Sequence, residues 1–272
     1  MLRTAIALIV CAAATLFGIP AQWIALKLNL PLRRWIPMYY HKLCLVLLGV
    51  RVSVRGTPSA KRPLMYVANH CSYIDIPVLS SITPLIFTAK SEIGRWPVMG
   101  LLARLQRTVF VDRSRRQATG DVNKEIASRM KDGDPVVLFG EGTASDGNSV
   151  LPFRTALFGA VRDALGDGGR VYMQPVSLAY TRLHGLPMGR QFRSVAAWYG
   201  DIGLTRHFFR VLREGAIDVV VTFGPIMSVD ADADRKSLAR AAEASVRRMT
   251  VAALAGRIEV SSGAVPLPVE TR

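Results

Sequence analysis

The chain opens on a long apolar stretch and then changes character. From Thr4 to Leu26 no residue is charged, with Arg3 and Lys27 bracketing the run. At ~1.5 Å of rise per helical residue, it is long enough to cross a ~30 Å hydrocarbon layer. Gly18 and Pro20 lie inside it and predict a kink or a break. A cleaved signal peptide fits less well, because the run is longer than a usual signal core and no small-x-small cleavage site follows. Leu30–Val50 then mixes Trp35, Ile36, Met38, Tyr39, Tyr40 and Leu43–Leu48 with Arg33, Arg34, His41 and Lys42. That mixture suits an interfacial helix with an aromatic belt and basic anchors. Two arrangements fit: one membrane span, or a two-helix hairpin dipping into one leaflet.

From about Leu64 the pattern alternates short β-branched runs with amphipathic stretches. Strands are predicted at Leu64–Ala68, Leu85–Ala89, Thr108–Val111, Pro135–Phe139, Val171–Ala179, Ser194–Tyr199 and Ala216–Phe223. Helices are predicted at Ser72–Ser80, Trp96–Leu105, Gly120–Lys131, Arg154–Leu165, Arg206–Arg213 and Asp234–Ala255. The alternation predicts an α/β fold: a largely parallel sheet flanked by helices, behind an N-terminal membrane-anchoring helix or two-helix hairpin. The domain reading is residues 1–55 as anchor and interfacial helix, 56–256 as the α/β domain, and 257–272 as a loose tail.

Composition sharpens this. Half of the residues are hydrophobic, which rules out a disordered chain, and 35 Lys+Arg against 20 Asp+Glu give a formal charge of +15. Such an excess points to a polyanionic partner. The mean hydropathy of +0.25 favours an anionic membrane surface over nucleic acid, for which no recognition module is present. Lys27, Arg33, Arg34, Lys42, Arg51, Arg55, Lys61 and Arg62 follow the apolar run, so the remainder is expected on the cytoplasmic side of the inner membrane. Cys11, Cys44 and Cys71 are too scattered for a disulfide framework or a metal site.

Three polar groups stand at the ends of predicted strands. Asn69-His70 follows the first, with Asp75 in the first turn of the next helix. Five residues apart, the two cannot share one helical face, so they meet only if His70 stands ahead of the helix and the chain turns between them. An imidazole oriented by a carboxylate on Nδ1 is a general base. Phe110-Val111-Asp112-Arg113 ends another strand, with Arg115 and Arg116 close behind, and Arg113 can fork onto a phosphate. Phe139-Gly140-Glu141-Gly142-Thr143 ends a third, its two glycines admitting close backbone approach and leaving Glu141 to accept from a hydroxyl. If these strands are parallel neighbours, the three groups converge at the carboxyl-end crevice where such sheets bind ligands. No G-x-S-x-G elbow, Walker loop or G-x-G-x-x-G is present. Asp230-Ala231-Asp232-Ala233-Asp234 imitates a calcium loop, but Arg235 and Ala241 stand at its Gly and Glu positions, so it reads as the acidic start of the last helix.

Asn69-His70-Cys71-Ser72-Tyr73-Ile74-Asp75, Phe110-Val111-Asp112-Arg113, Phe139-Gly140-Glu141-Gly142-Thr143 and Gln174-Pro175-Val176-Ser177 together resemble the four ordered motifs of the glycerolipid (lysophosphatidic acid) acyltransferases. Lys90-Ser91-Glu92, with Trp96-Pro97 and Gly100, resembles the block between the first two. The resemblance implies an O-acyltransferase in which His70, held by Asp75, deprotonates a lysolipid hydroxyl that attacks the thioester of acyl-CoA or acyl carrier protein. It implies no metal, no bound cofactor and no acyl-enzyme. Arg113, Glu141, Gly142, Thr143, Lys90 and Pro175 form the substrate-binding set it implies. Glu141 and Gly142 would take the glycerol-like part, Arg113 the phosphate, and Pro175 a pocket wall. The acceptor first implied is 1-acyl-sn-glycerol-3-phosphate, giving phosphatidic acid. Two departures stand out: Gly140 replaces the family's usual Pro, and Ala144 stands where Arg often follows the Thr. Gly142–Asn148 and Tyr180–Gly185 are similar to a branch containing lyso-ornithine lipid acyltransferases, the alternative acceptor reading.

Overall fold

The computed structural model of the chain describes residues 2–111, 118–165, 169–230 and 233–257. Asp112, Arg113, Arg115 and Arg116 therefore lie outside the described residues, as does the predicted tail beyond Arg257.

Helix α1 (Leu2–Lys27) runs unbroken through Gly18 and Pro20, because long hydrogen-bonded stretches on either side outweigh the one bond that proline removes. A 3₁₀ turn (Pro31–Arg34) leads into α2 (Trp35–Leu48), which ends at Gly49 in the left-handed conformation. In the most apolar part of α1, with a mean hydropathy of 2.1, only 6% of residues are buried. Both ends of the helix nonetheless rest on the body of the protein. Gln22, buried, donates to Leu105 O at 2.8 Å and Arg33 O at 3.0 Å. At the other end the Arg3 guanidinium lies over Gly49 and Gly215, in space that a Cβ at either glycine would fill.

Among the described residues the body is a mixed nine-stranded sheet with a helical layer on each face. Its main path runs β1 (Val50–Arg55), β8 (Ile217–Phe223), β6 (Val171–Leu183), β2 (Leu64–Ala68), β5 (Val136–Phe139), β3 (Ile86–Lys90) and β4 (Val109–Val111). From β6 to β4 every pairing is parallel, while β8 runs against β6. Two short strands, β7 (Leu186–Pro187) and β9 (Met227–Val229), pair with β6 off that path. The central strand β2 is buried along its whole length, as an all-apolar run covered on both faces must be. Leu64, Tyr66 and Ala68 face the core shared with α2, α3 (Asp75–Ser80) and α7 (Leu204–Glu214). Met65 and Val67 face the opposite core, packed by α5 (Ala118–Lys131), α6 (Gly159–Leu165) and α8 (Arg235–Leu254). Asp234 caps α8 by accepting from the Ser237 amide at 3.0 Å, which gives the last residue of the acidic cluster its place at the helix start.

Beyond the unbroken α1, two expectations change. Ser194–Tyr199 is not a strand. A 3₁₀ turn spans Arg190–Val195, the amides of Ala196 and Ala197 bond back to Arg193 O, and the Trp198 amide is taken by Cys71 O, so these three successive amides are not free for a ladder. Conversely, Val50–Arg55 forms edge strand β1, whose Val-Arg-Val-Ser-Val-Arg alternation is the period of a half-exposed strand.

The loop that leaves β2 is pinned by Asn69. Its side chain donates to Leu178 O at 2.9 Å and accepts the Leu178 amide at 2.8 Å, standing in for one more rung of the β2–β6 ladder. Truncation would strand two buried backbone groups, so Asn69→Ala should lower unfolding free energy by about 2–3 kcal/mol, read from denaturant unfolding in detergent.

Candidate active site

Because β2, β5 and β3 are parallel neighbours, His70, Glu141 and Lys90 all emerge at one edge of the sheet. Ser72–Ile74 turns the chain, and Asp75 opens α3, so its carboxylate points back at the residues just before it. Asp75 Oδ2 lies 2.8 Å from His70 Nδ1 and accepts the amides of Cys71 (2.8 Å) and Ser72 (3.0 Å). Its Oδ1 accepts the Tyr180 hydroxyl at 2.9 Å. Asp75 is 0% exposed, whereas the His70 side chain keeps 21%. With Nδ1–H given to the carboxylate, the basic lone pair of His70 lies on Nε2, on the open side of the ring. The imidazole stacks on Phe139, 4.1 Å between centroids, which leaves it little rotational freedom. Burial pushes the Tyr180 hydroxyl far above its ordinary range, so it remains a donor to Asp75. Cys71 is a buried filler whose thiol burial likewise pushes up.

Glu141 has a different place from the one its motif implied. Its carboxyl is turned inward, 2% exposed, and Oε1 accepts the His70 amide at 2.9 Å. Oε2 is buried without a hydrogen-bond partner among the described residues. Burial pushes this carboxyl up to about 8, against the pull of the His70 and Leu151 amides. Glu141 thus braces the backbone of His70 from behind. His70 O in turn accepts the Ser145 amide at 2.9 Å, so residues 141–145 clamp the histidine loop at both its amide and its carbonyl.

The Gly140 departure has a direct cause. Its amide donates to Ala68 O at 2.9 Å, a bond proline cannot make, and a Cβ there would stand 2.6 Å from the Phe153 ring.

Beside this core, Lys90, Glu92, Gly142, Thr143 and Arg154 line an open cleft of about 340 Å³. Lys90 and Thr143 are exposed, and Gly142, at φ +69°, turns the chain between Glu141 and the cleft. Pro175 sits elsewhere. It is buried within β6, paired with Val67, where β6 exchanges β9 for β8 as its neighbour and needs no amide donor. Its carbonyl accepts the Gly224 amide at 2.8 Å, so it forms sheet and not cleft wall.

Asn69, Tyr180 and Arg154 escape sequence reasoning. Asn69 is legible only as a neighbour of His70. Tyr180 belongs to a strand far away in sequence, and Arg154 reads as an ordinary helix start. Only the β2–β6 pairing reveals that Tyr180 reaches Asp75.

A family model described as Acyltransferase matches residues 50–179. The chain is 44% identical, over 98% of its length and 92% of the relative's, to a lyso-ornithine lipid O-acyltransferase of Rhizobium meliloti. It is 49% identical, over 90% of its length and 92% of the relative's, to one of Brucella abortus. A 1-acyl-sn-glycerol-3-phosphate acyltransferase of Neisseria gonorrhoeae is 31% identical over 71% of this chain and 72% of its own. Among solved structures, the 1-acyl-sn-glycerophosphate (LPA) acyltransferase of Thermotoga maritima shares the fold, with a TM-score of 0.64 at 21% identity over 92% of this chain and 94% of that one.

Two outcomes follow from the braces around His70. Tyr180→Phe should leave the fold intact and KM nearly unchanged but lower kcat about tenfold, since a hydrogen bond to a buried carboxylate is worth ~1.5–3 kcal/mol; the KM-against-kcat split checks it. Glu141 holds its proton more tightly when folded (about 8) than at its ordinary 4.5. The stability tied to that proton is complete below the lower value and is lost as pH rises through the upper one. Glu141→Gln, which still accepts from the His70 amide, should therefore gain stability relative to wild type between those two pH values, measured by unfolding at stepped pH.

Proposed function

The chain belongs to the glycerolipid (lysophosphatidic acid) acyltransferase family, and on that premise we propose that it esterifies the free hydroxyl of lyso-ornithine lipid, completing ornithine lipid. That it is an O-acyltransferase acting on lysolipids is the part it shares with all of the relatives named above. The observation that carries the chemistry is the buried Asp75 holding His70 Nδ1 at 2.8 Å with Nε2 open.

His70 Nε2 takes the proton of the acceptor hydroxyl as its oxygen attacks the thioester carbonyl of acyl-CoA or acyl carrier protein. A tetrahedral intermediate forms. Its collapse makes the ester, breaks the C–S bond and expels the thiolate, which recovers the proton from His70. Asp75 stabilises the imidazolium between these steps. No metal or bound cofactor enters this scheme.

Two considerations put lyso-ornithine lipid ahead of 1-acyl-sn-glycerol-3-phosphate, the acceptor the motifs first imply. The lyso-ornithine lipid relatives align at 44% and 49% identity, against 31% for the 1-acyl-sn-glycerol-3-phosphate acyltransferase of Neisseria gonorrhoeae. The cleft also offers both signs of charge, with Lys90 and Arg154 for a carboxylate and Glu92 for an amine, and the motif position after Thr143 holds Ala144 in place of a further cation that a phosphate would favour. Gly142 and Thr143 line the same cleft and would hold the acceptor near His70. Arg113 is retained as a phosphate or donor contact.

The anchor supports a single-leaflet arrangement. A spanning helix carries its ends to opposite faces of the membrane, whereas both ends of α1 are held by one domain. Leu2, Ile9, Leu16, Phe17 and Trp23 point outward along it. Lys27 lies over Trp23 and Lys42 over Tyr39, cation–aromatic pairs suited to the headgroup level. Arg34 is already committed to Asp134 at 2.8 Å. We place α1 and α2 in the cytoplasmic leaflet of the inner membrane, held partly by anionic lipids.

Purified full-length protein in detergent, given labelled acyl-CoA or acyl carrier protein, should acylate lyso-ornithine lipid at least tenfold faster than lysophosphatidate, and His70→Ala should lose about 10³-fold or more of that rate. Faster transfer to lysophosphatidate would reverse the acceptor assignment. A folded His70→Ala protein with near wild-type transfer would remove the mechanism.

A further inference from the structure

Helix α7 is sharply two-faced. His207, Val211 and Leu212 are buried against the core, while Arg206, Phe209, Arg210 and Arg213 form an outward stripe at i, i+3, i+4 and i+7. Among the described residues none of these three arginines has a hydrogen bond or an ion pair, and the acid nearest in sequence, Glu214, is held by His184 at 3.1 Å. Phe209 keeps 47% exposure between them. Opposite the stripe stand Thr4, Ala5 and Leu8 of α1, and the two helices enclose a groove of about 520 Å³. One wall is therefore the first turns of the apolar anchor and the other a row of cations with no ion pair among the described residues.

We propose that this groove binds an anionic phospholipid of the host leaflet. Its phosphate lies across Arg206, Arg210 and Arg213, and the upper part of one acyl chain lies against Ala5, Leu8 and Phe209. The site rests on the reading of α1 as lying in a leaflet and is separate from the acceptor cleft, whose lining residues it does not share. A water-soluble anion would gain from the arginines but nothing from the apolar wall. A neutral lipid would gain from the wall but leave three cations unmatched. Only an amphiphile with an anionic head uses both, and the groove is continuous with the outward apolar face of α1. The bound lipid would fasten the N-terminal end of α1, as Gln22, donating to Leu105 O, fastens the other to the body.

The test uses the full-length chain, delipidated in detergent and offered phosphatidylglycerol or phosphatidylcholine, with retained lipid counted by native mass spectrometry. Wild type should retain phosphatidylglycerol at least tenfold better, a ratio of ~1.4 kcal/mol shared among three cations facing one anionic head. R206Q/R210Q/R213Q should lose that preference while still floating with phosphatidylcholine vesicles and transferring acyl groups in detergent, which shows it folded. Lys27→Gln should keep the preference. Phe209→Ala should weaken retention of both lipids. An unchanged preference in the triple variant, its loss in Lys27→Gln alone, or displacement of the lipid by inorganic phosphate would overturn the lipid site. Wild type that floats with neither pure phosphatidylcholine vesicles nor mixed ones would instead overturn the leaflet reading on which it rests.

Discussion

A carboxyl group removed from water costs several kcal/mol unless donors replace its hydration, and much of this molecule's sheet edge serves that one replacement. Asp75 has no exposure, yet both oxygens are met: Oδ2 by the His70 ring and the amides of Cys71 and Ser72, and Oδ1 by Tyr180. Supplying them requires the chain to turn between residues 72 and 75, and requires β6 to run beside β2 so that Tyr180 arrives from the other side. Asn69 locks the same two strands together one residue before the histidine. The arrangement leaves His70 with one nitrogen engaged and one open, as a general base needs.

A second carboxyl group behind the first does the opposite work. Glu141, pushed towards the neutral form by burial, braces the His70 amide without adding a competing charge beside Asp75. Two acids within one loop cluster thus take different roles because one is supplied with donors and the other is largely denied them. The clamp is completed by Gly140, which stays small to admit Phe153 and keeps its amide for Ala68.

The membrane side follows from the same economy of contact. A helix as apolar as α1 is tolerated outside the core only where something apolar receives it, and its two ends are tied to the body, one by the buried Gln22 amide and the other by the Arg3 guanidinium over Gly49 and Gly215. The charge excess, diffuse when counted over the chain, becomes local in the fold. Lys90 and Arg154 meet at the cleft, Lys27 sits at one end of the anchor, and the α7 arginines line a groove at the other.

The amino-acid sequence alone determined the elements and the chemistry: the apolar run, the alternation that makes an α/β sheet, the His70 and Asp75 pair, and the order of motifs that marks an acyltransferase. These are legible because they depend on local periodicity and on residue types within a few positions of one another. It could not decide that Ser194–Tyr199 would lack a ladder, since that depended on Arg193 and Cys71 carbonyls already waiting for its amides. Nor could it turn Glu141 inward, place Pro175 within the sheet, bring Tyr180 to Asp75, or set α1 beside α7. Each of these rests on strand order and helix packing between residues far apart in the chain. Burial and hydrogen-bond partners, which decide whether a carboxyl group orients, braces or binds, exist only once those distant segments have met.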